Sequence, residues 1–233
     1  MNKPGLLIAA LAAAICWTAC TKSDDGPQRP VDSRECKLQY VHNKNSVDSF
    51  FYDDQFRLTR IRVGSQELIY DYTIFGRITI NKKIYGFAAG KNVLTLDSAK
   101  RVTRIRIEED IQGTDWSQYD YEYSGDHVAR ELKTTSGGSS DTVVYNWSTG
   151  NVTAHSSAAG PLNYNYYLDK NWEHGDFANY HLLTTIGVNL FQTKNLVKDF
   201  RSFTGITYAY DSLGRLNQAS VNGEAYSYQY LCR

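Results

Sequence analysis

The chain has 233 residues, which is enough for one well-cored domain or two small ones. Its 25 basic and 25 acidic side chains give a formal charge of zero, so nucleic acid or another polyanion is not an expected partner. The 18 tyrosines often stand two positions apart, which favours β-strands over helices.

The first 19 residues are predicted to be a bacterial lipoprotein signal peptide. Lys3 supplies the positive start, and the apolar run over residues 6–14 is too short to span a bilayer. Ala19 before Cys20 fits the small-residue rule of a lipidation site, so Cys20 is the predicted lipidated residue. Cys16 is a weaker alternative because Ile15 precedes it, and an ordinary cleaved signal peptide is the other alternative.

Residues 20–35 are predicted to form the lipidated cysteine and a flexible tether, because the segment is polar and contains prolines. Its KSDD run, residues 22–25, resembles the acidic export signal of some Gram-negative surface lipoproteins, although a solvated tether explains it equally well. The expected location is the outer membrane of a Gram-negative bacterium, lipid-anchored and exposed at the cell surface if the signal operates.

A short phrase recurs along the remaining chain. Residues 208–216 read YAYDSLGRL, and residues 70–80, YDYTIFGRITI, align with it position for position. Such a phrase predicts a strand, a type I turn closed by a left-handed glycine, and a second strand. Looser copies place Phe56 and Lys100 where the others have glycine. The anchor residue that follows the turn is Arg57, Arg77, Arg101, His127, Asn151 or Arg215 in successive copies.

After three of these turns the apolar residues break strict alternation once. Leu58, Ile61 and Val63 show the spacing, and residues 102, 105 and 107 and residues 216, 219 and 221 repeat it. The pattern indicates either a β-bulge or an apolar plug folded under the turn.

Cys36 and Cys232 are the two cysteines beyond the predicted lipidation site. A disulfide is the default for such a pair in an exported protein. Each cysteine also shares strand parity with nearby apolar or aromatic residues, so both thiols are expected on the aromatic face.

Residues 36–233 are predicted to be a single all-β domain, a long antiparallel meander of about fourteen strands that is curled or closed like a barrel. Residues 169–202 interrupt the pattern as an insertion. Phe177, Tyr180, Leu183 and Ile186 have helical spacing, so one short helix is expected near residues 173–200.

The recurring phrases resemble the YD repeats of Rhs-type shell proteins. The whole layout is similar to an uncharacterised family of bacterial lipoproteins with a porin-like fold, over about residues 36–232. The resemblance implies a long antiparallel meander, and it carries over no known activity and no catalytic residue.

No phosphate loop, nucleophile elbow or Cys/His pair is present, so the chain is expected to be neither an enzyme nor dependent on a cofactor. Glu173, His174, Asp176 and His181 form the one group that resembles a metal site. Their spacing matches no rigid ligand set, so no metal site is predicted.

The insertion is the predicted recognition element, because long irregular segments of regular folds often carry binding residues. Trp172, His174, Tyr180 and His181 are the candidate ligand-binding residues, suited to stacking on sugars and to bonding hydroxyl groups. The alternative is that this segment only caps the hydrophobic interior.

The sequence thus predicts a non-catalytic binding module on a lipid anchor, with the membrane and a glycan or other envelope polymer as partners. The alternative is a structural or assembly protein that contacts a partner protein through its sheet. A membrane-spanning porin is disfavoured, because Thr207, Ala209, Ser227 and Gln229 oppose the tyrosines where a lipid-facing band would lie.

Overall fold

The computed structural model describes residues 35–158 and 160–233. The predicted signal peptide, the predicted lipid site Cys20 with its alternative Cys16, and the tether up to residue 34 lie outside the described residues. Within the described part, no helix is long and apolar enough to cross a membrane.

The described residues form 17 β-strands and one α-helix. The strands are β1 (Cys36–His42), β2 (Val47–Tyr52), β3 (Leu58–Val63), β4 (Gln66–Asp71), β5 (Arg77–Ile84), β6 (Phe87–Leu96), β7 (Val102–Glu108), β8 (Trp116–Ser124), β9 (His127–Thr135), β10 (Ser140–Ser148), β11 (Asn151–Ser157), β12 (Gly160–Asn163), β13 (Asn165–Asn171), β14 (Asn195–Asp199), β15 (Thr207–Tyr210), β16 (Leu216–Val221) and β17 (Glu224–Cys232). The helix α1 (Phe177–Ile186) lies between β13 and β14, which confirms the predicted short helix.

Fifteen of the strands form one antiparallel sheet. Strands β1 to β11 each pair with the next along the chain, up to the edge strand β12, and the other side of β1 pairs with β17, followed by β16 and β15. Strands β13 and β14 form a separate two-stranded sheet. The predicted all-β antiparallel meander with one helix is confirmed.

The expectation of a closed or strongly curled sheet is wrong. Strands β12 and β15 stand at the two ends of the hydrogen-bonded order, and no pairing joins them among the described residues. Both edge strands have only four residues, and short edges are one way in which open sheets avoid pairing with other chains. The strand count suggested closure, but the insertion covers the apolar face instead.

The recurring turns adopt the same backbone conformation whether or not glycine is present. Phe56 and Lys100 have φ angles of 63° and 62°, close to the 73° of Gly76 and the 80° of Gly214. The pairing also slips by one residue after the turn, where Phe51 pairs with Arg60 but Tyr52 pairs with Leu58. The same slip follows two further turns, so the predicted bulge is confirmed.

One continuous hydrophobic core joins the sheet to the insertion. Leu68, Ile80 and Leu94 are among the fully buried sheet residues, and Leu196 and Phe200 come from the insertion. The alternation of buried and exposed residues along the strands places these side chains on one face of the sheet. The insertion therefore packs on that face.

Cys36 and Cys232 form a disulfide, as predicted. They are directly opposite each other in the β1–β17 pairing, so the bond links the first and last strands of the chain. Next to it, the backbone N–H of Glu35 donates to the carbonyl of Arg233 at 3.1 Å.

Candidate functional site

One end of the sheet is built from repeated Asp–Arg turns. The Asp53 carboxylate accepts the backbone N–H of Arg57 at 2.8 Å, and its second oxygen accepts the Arg57 Nε–H at 2.8 Å. The same pair of bonds joins Asp97 to Arg101 and Asp211 to Arg215. Each aspartate thus holds both the turn and the direction of its arginine.

Each arginine then covers an aromatic ring from a later strand. The Arg57 guanidinium lies 4.8 Å from the centre of the Tyr72 ring, and Arg101 lies 4.6 Å from that of Tyr123. The hydroxyl of Tyr72 donates to the Leu58 carbonyl at 2.7 Å, which fixes the ring beside the turn. These stacked pairs make a rigid wall with aromatic and cationic groups at the turn end of the sheet.

The helix of the insertion begins at a buried carboxylate. Asp176 is the N-cap of α1 and accepts the backbone N–H of Ala178 at 2.9 Å, Asn179 at 3.3 Å and Val197 at 2.9 Å. Burial raises the pKa of Asp176 to about 6, although these hydrogen bonds act in the opposite direction. Asp176 therefore joins α1 to β14 and is not available to a ligand.

The helix ends against strands of the meander. Gly187 has a φ of 83°, and its carbonyl accepts the Tyr70 hydroxyl at 2.6 Å. A Cβ atom on Gly187 would lie 2.5 Å from the Cδ1 of Ile80, so a larger residue does not fit. Asn92 donates to the Ile186 carbonyl at 2.9 Å, which adds a second bond at this end of the helix.

Residues 187–194 form a loop that leads from α1 to β14, and we call it the bridging loop. Its last residue, Lys194, donates its backbone N–H to the Gly150 carbonyl at 2.8 Å. Buried Asn151 and Asn195 exchange bonds of 2.9 and 3.0 Å at the start of β14. The loop is therefore fixed at both ends.

A groove of about 430 Å³, the first groove, lies on one side of the bridging loop. Trp172 and His174 form part of its wall, with their ring centres 5.0 Å apart. The opposite wall comes from the recurring turns and includes Arg57 and Tyr72.

A second groove of about 500 Å³ lies on the other side of the same loop. Arg101 and Tyr123 take the places that Arg57 and Tyr72 take in the first groove. His127 and Trp147 stack at 4.2 Å and supply the second Trp–His pair. The two grooves thus have the same kinds of side chain.

Two bridging-loop residues, Asn189 and Gln192, line both grooves. Their amide groups offer donors and acceptors at the point where the grooves meet. An extended molecule that crosses the loop would therefore contact two aromatic surfaces and the amides between them.

The structure brings together two of the four predicted ligand-binding residues. Trp172 is half-buried and His174 is exposed, and both line the first groove. Tyr180 is only 6% exposed, and its hydroxyl donates to the Asp48 carboxylate, so it belongs to the core. His181 packs against the Phe177 and Phe203 rings, and its pKa is lowered by burial and then by Arg201.

Among residues 35–158 and 160–233, no group of three or more His, Cys, Asp and Glu side chains could hold a metal ion. The four residues that resembled a metal site do not lie together. Asp176 is the buried N-cap of α1, whereas His174 lines the first groove.

No family model matches the chain, and no curated protein sequence matches it. Its fold is similar to the 2.32 Å crystal structure of a porin-like protein from Bacteroides uniformis ATCC 8492. The TM-score is 0.54 at 14% sequence identity, and the match covers 88% of this chain and 98% of that one. A likeness at this identity shows a porin-like fold and nothing of the activity.

Proposed function

We propose that the chain is a non-catalytic binding module of the cell envelope, and that the two grooves together take one linear glycan or a similar polymer. The single observation that carries this proposal is the duplicated set of groove residues on both sides of one loop. A polymer repeats its own units, so two similar surfaces side by side suit it better than they suit a small molecule.

The chemistry of both grooves fits sugar rings. Trp172 and Trp147 offer apolar faces on which a pyranose ring stacks, while Asn189 and Gln192 suit its hydroxyl groups. The arginines are neutralised by their turn aspartates, so a high negative charge on the polymer is not required. A neutral or weakly acidic polysaccharide is the proposed ligand class.

The proposed location is the outer membrane of a Gram-negative bacterium, through a lipid on Cys20, with exposure at the cell surface. The sequence of residues 1–20 and the resemblance to a lipoprotein family support this proposal. We expect Cys20→Ala to abolish palmitate labelling and to release the chain from membranes, because Cys20 is the proposed site of lipid attachment. Unchanged labelling would move the anchor to Cys16 or elsewhere.

Affinity electrophoresis tests the binding proposal. The chain from residue 34 onward is run in native gels that contain soluble xylan, mannan, β-1,3-glucan, alginate or chondroitin sulfate. We expect at least one of these polymers to retard it, and Trp172→Ala to weaken the retardation about tenfold, since the variant removes a stacking surface.

Trp116→Ala is the matched control, because Trp116 lies on β8, is half-buried and lines neither groove. It should bind like the wild type. If no polymer in the panel retards the wild type, or if both tryptophan variants weaken retardation equally, the binding proposal fails.

The second candidate function is a structural or assembly role, and one observation favours it. The turn between β5 and β6, at the end of the sheet opposite the recurring turns, exposes Ile84, Tyr85 and Phe87 by 44, 78 and 78%. Exposed apolar side chains on a projecting tip are typical of protein contacts. If Tyr85→Ser with Phe87→Ser removes a cross-link to an envelope protein in cells and Trp172→Ala does not, this role is the correct one.

A further inference from the structure

A third cavity, of about 130 Å³, lies between α1 and strands β7 to β9 and shares Leu190 with the second groove. Its wall is mixed: Tyr119, Tyr121 and Thr185 contribute hydroxyl groups, and the apolar side chains are Ile105, Ile107, Leu182, Ile186, Leu190 and Phe191. One water molecule takes about 30 Å³ in the liquid, so the cavity has room for a small organic molecule.

Two opposite charges also line this cavity. Glu131 on β9 contributes a carboxylate, and Arg201, in the turn after β14, contributes a guanidinium. Burial raises the pKa of Glu131, and the nearby Arg201 opposes that effect, which shows that the two charges act on each other. Nevertheless, no ion pair joins them in the part of the chain that the structure describes.

A neighbouring hydroxyl orients the Glu131 carboxylate, and a hydrogen-bonded turn carries Arg201, whose side chain is exposed. The Tyr145 hydroxyl donates to Glu131 Oε2 at 3.1 Å and so orients the carboxylate. Arg201 has a φ of 55°, which is unfavourable for a residue with a side chain, and the turn is fixed by reciprocal bonds between Phe200 and Phe203.

We propose that this cavity binds a small zwitterion, a free α-amino acid with an apolar side chain. Its ammonium group would pair with Glu131, its carboxylate with Arg201, and its side chain would contact the apolar wall near Leu190. A simple cation would pair with Glu131 but would be repelled by Arg201. A simple anion would pair with Arg201 but would be repelled by Glu131. A ligand with both charges pairs with the two protein groups at once. The proposal does not rest on polymer binding, although Leu190 also lines the second groove.

Isothermal calorimetry and thermal unfolding on the wild-type chain from residue 34 onward test the site without any variant. L-alanine, L-valine and L-leucine are compared with propionate, butylamine and propionamide, each at up to about 10 mM, because a ligand of the native state raises the unfolding midpoint. At least one amino acid should bind and raise the midpoint, whereas the single-charge and neutral probes should not. If none of the amino acids binds, or if a probe with one charge binds as tightly, the proposal is overturned.

Variants then assign the two charges. Glu131→Gln and Arg201→Gln should each weaken amino-acid binding about tenfold or more, because each removes one charged hydrogen bond. Arg130→Gln is the control, since Arg130 lies on the same strand but pairs with Glu122 and does not line the cavity. Unchanged binding in both charge variants would contradict the assignment.

Discussion

The meander and the insertion are held in place by different kinds of interaction. In the meander almost every strand pairs with its neighbour in the chain, and three recurring turns are fixed by bonds between residues four positions apart. The insertion has local bonds at its N-cap and within α1, but these do not attach it to the sheet. Its helix is held by two hydrogen bonds, from the Tyr70 hydroxyl to the Gly187 carbonyl and from the Asn92 amide to the Ile186 carbonyl. These bonds join residues that are 117 and 94 positions apart in the sequence. Local patterns therefore define the scaffold, and long-range packing places the site.

The largest expected effect concerns the one long-range link inside the meander. Pairing of β1 with β17 is the only strand contact between the ends of the described chain, and the Cys36–Cys232 disulfide secures it. Replacing both cysteines with alanine should lower the free energy of unfolding by about 3–5 kcal/mol, because the bond closes nearly the whole domain. Urea unfolding measures the loss. A loss below about 1 kcal/mol would mean that the hairpins alone hold the two ends together.

Gly187 tests the long-range packing of the insertion. Gly187→Ala should cost about 2–4 kcal/mol, because it adds overpacking against Ile80 to the cost of a positive φ. Gly64→Ala is the matched control, since Gly64 has a φ of 54° with nothing within 4 Å of its added Cβ. It should cost about 1 kcal/mol by urea unfolding. Equal costs would show that contact with Ile80 does not hold the insertion.

Asp176 gives the insertion a dependence on pH. Its pKa in the folded state is about 6, above the 3.8 of a free aspartate side chain, so the folded state binds the proton more tightly than the unfolded state does. The protein therefore loses stability as the pH rises from about 4 to 6. The loss amounts to roughly 2–3 kcal/mol. Asp176→Asn removes this titration, so its unfolding free energy relative to the wild type should rise by that amount between pH 4 and pH 7. A constant difference across this range would contradict the buried charge.

The recurring turns should show the smallest effects, and equal ones. Asp53→Ala, Asp97→Ala and Asp211→Ala each remove the same backbone and side-chain bonds at an exposed turn, so each should lower the urea midpoint by a similar, small amount. Double variants should be additive within about 0.5 kcal/mol, because the turns are distant from one another. A cost confined to one turn would show that the three turns are not equivalent.

Much of the meander was predictable, because its determinants are local. The Asp and Arg spacing predicted the turns, and the break in alternation predicted the bulges. Phe56 and Lys100 depart from the glycine pattern, and their positive φ was not predicted. Strand parity also placed Cys36 and Cys232 on one face. The open edges were not predictable in the same way, because closure depends on how the insertion covers the sheet.

The site was only half predictable. Trp172 and His174 stood out as an aromatic and polar pair near a turn, and they do line a groove. Tyr180 and His181 are also an aromatic and a polar residue, but both lie on α1. Tyr180 is buried in the core, and the His181 ring packs against Phe177. The His127–Trp147 pair of the second groove was missed, since only the fold shows that the bridging loop lies beside it. The available signal was the recurring phrase, in which His127 stands at the anchor position that is arginine in other copies.

Hydrogen exchange tests the central claim, that both grooves act together, most directly. The chain is measured with and without the polysaccharide that retards it most in native gels. We expect slower exchange at residues 53–57, at residues 97–101 and in the bridging loop together, with no change at residues 84–87. Slower exchange on one side of the bridging loop only, or at residues 84–87, would contradict it.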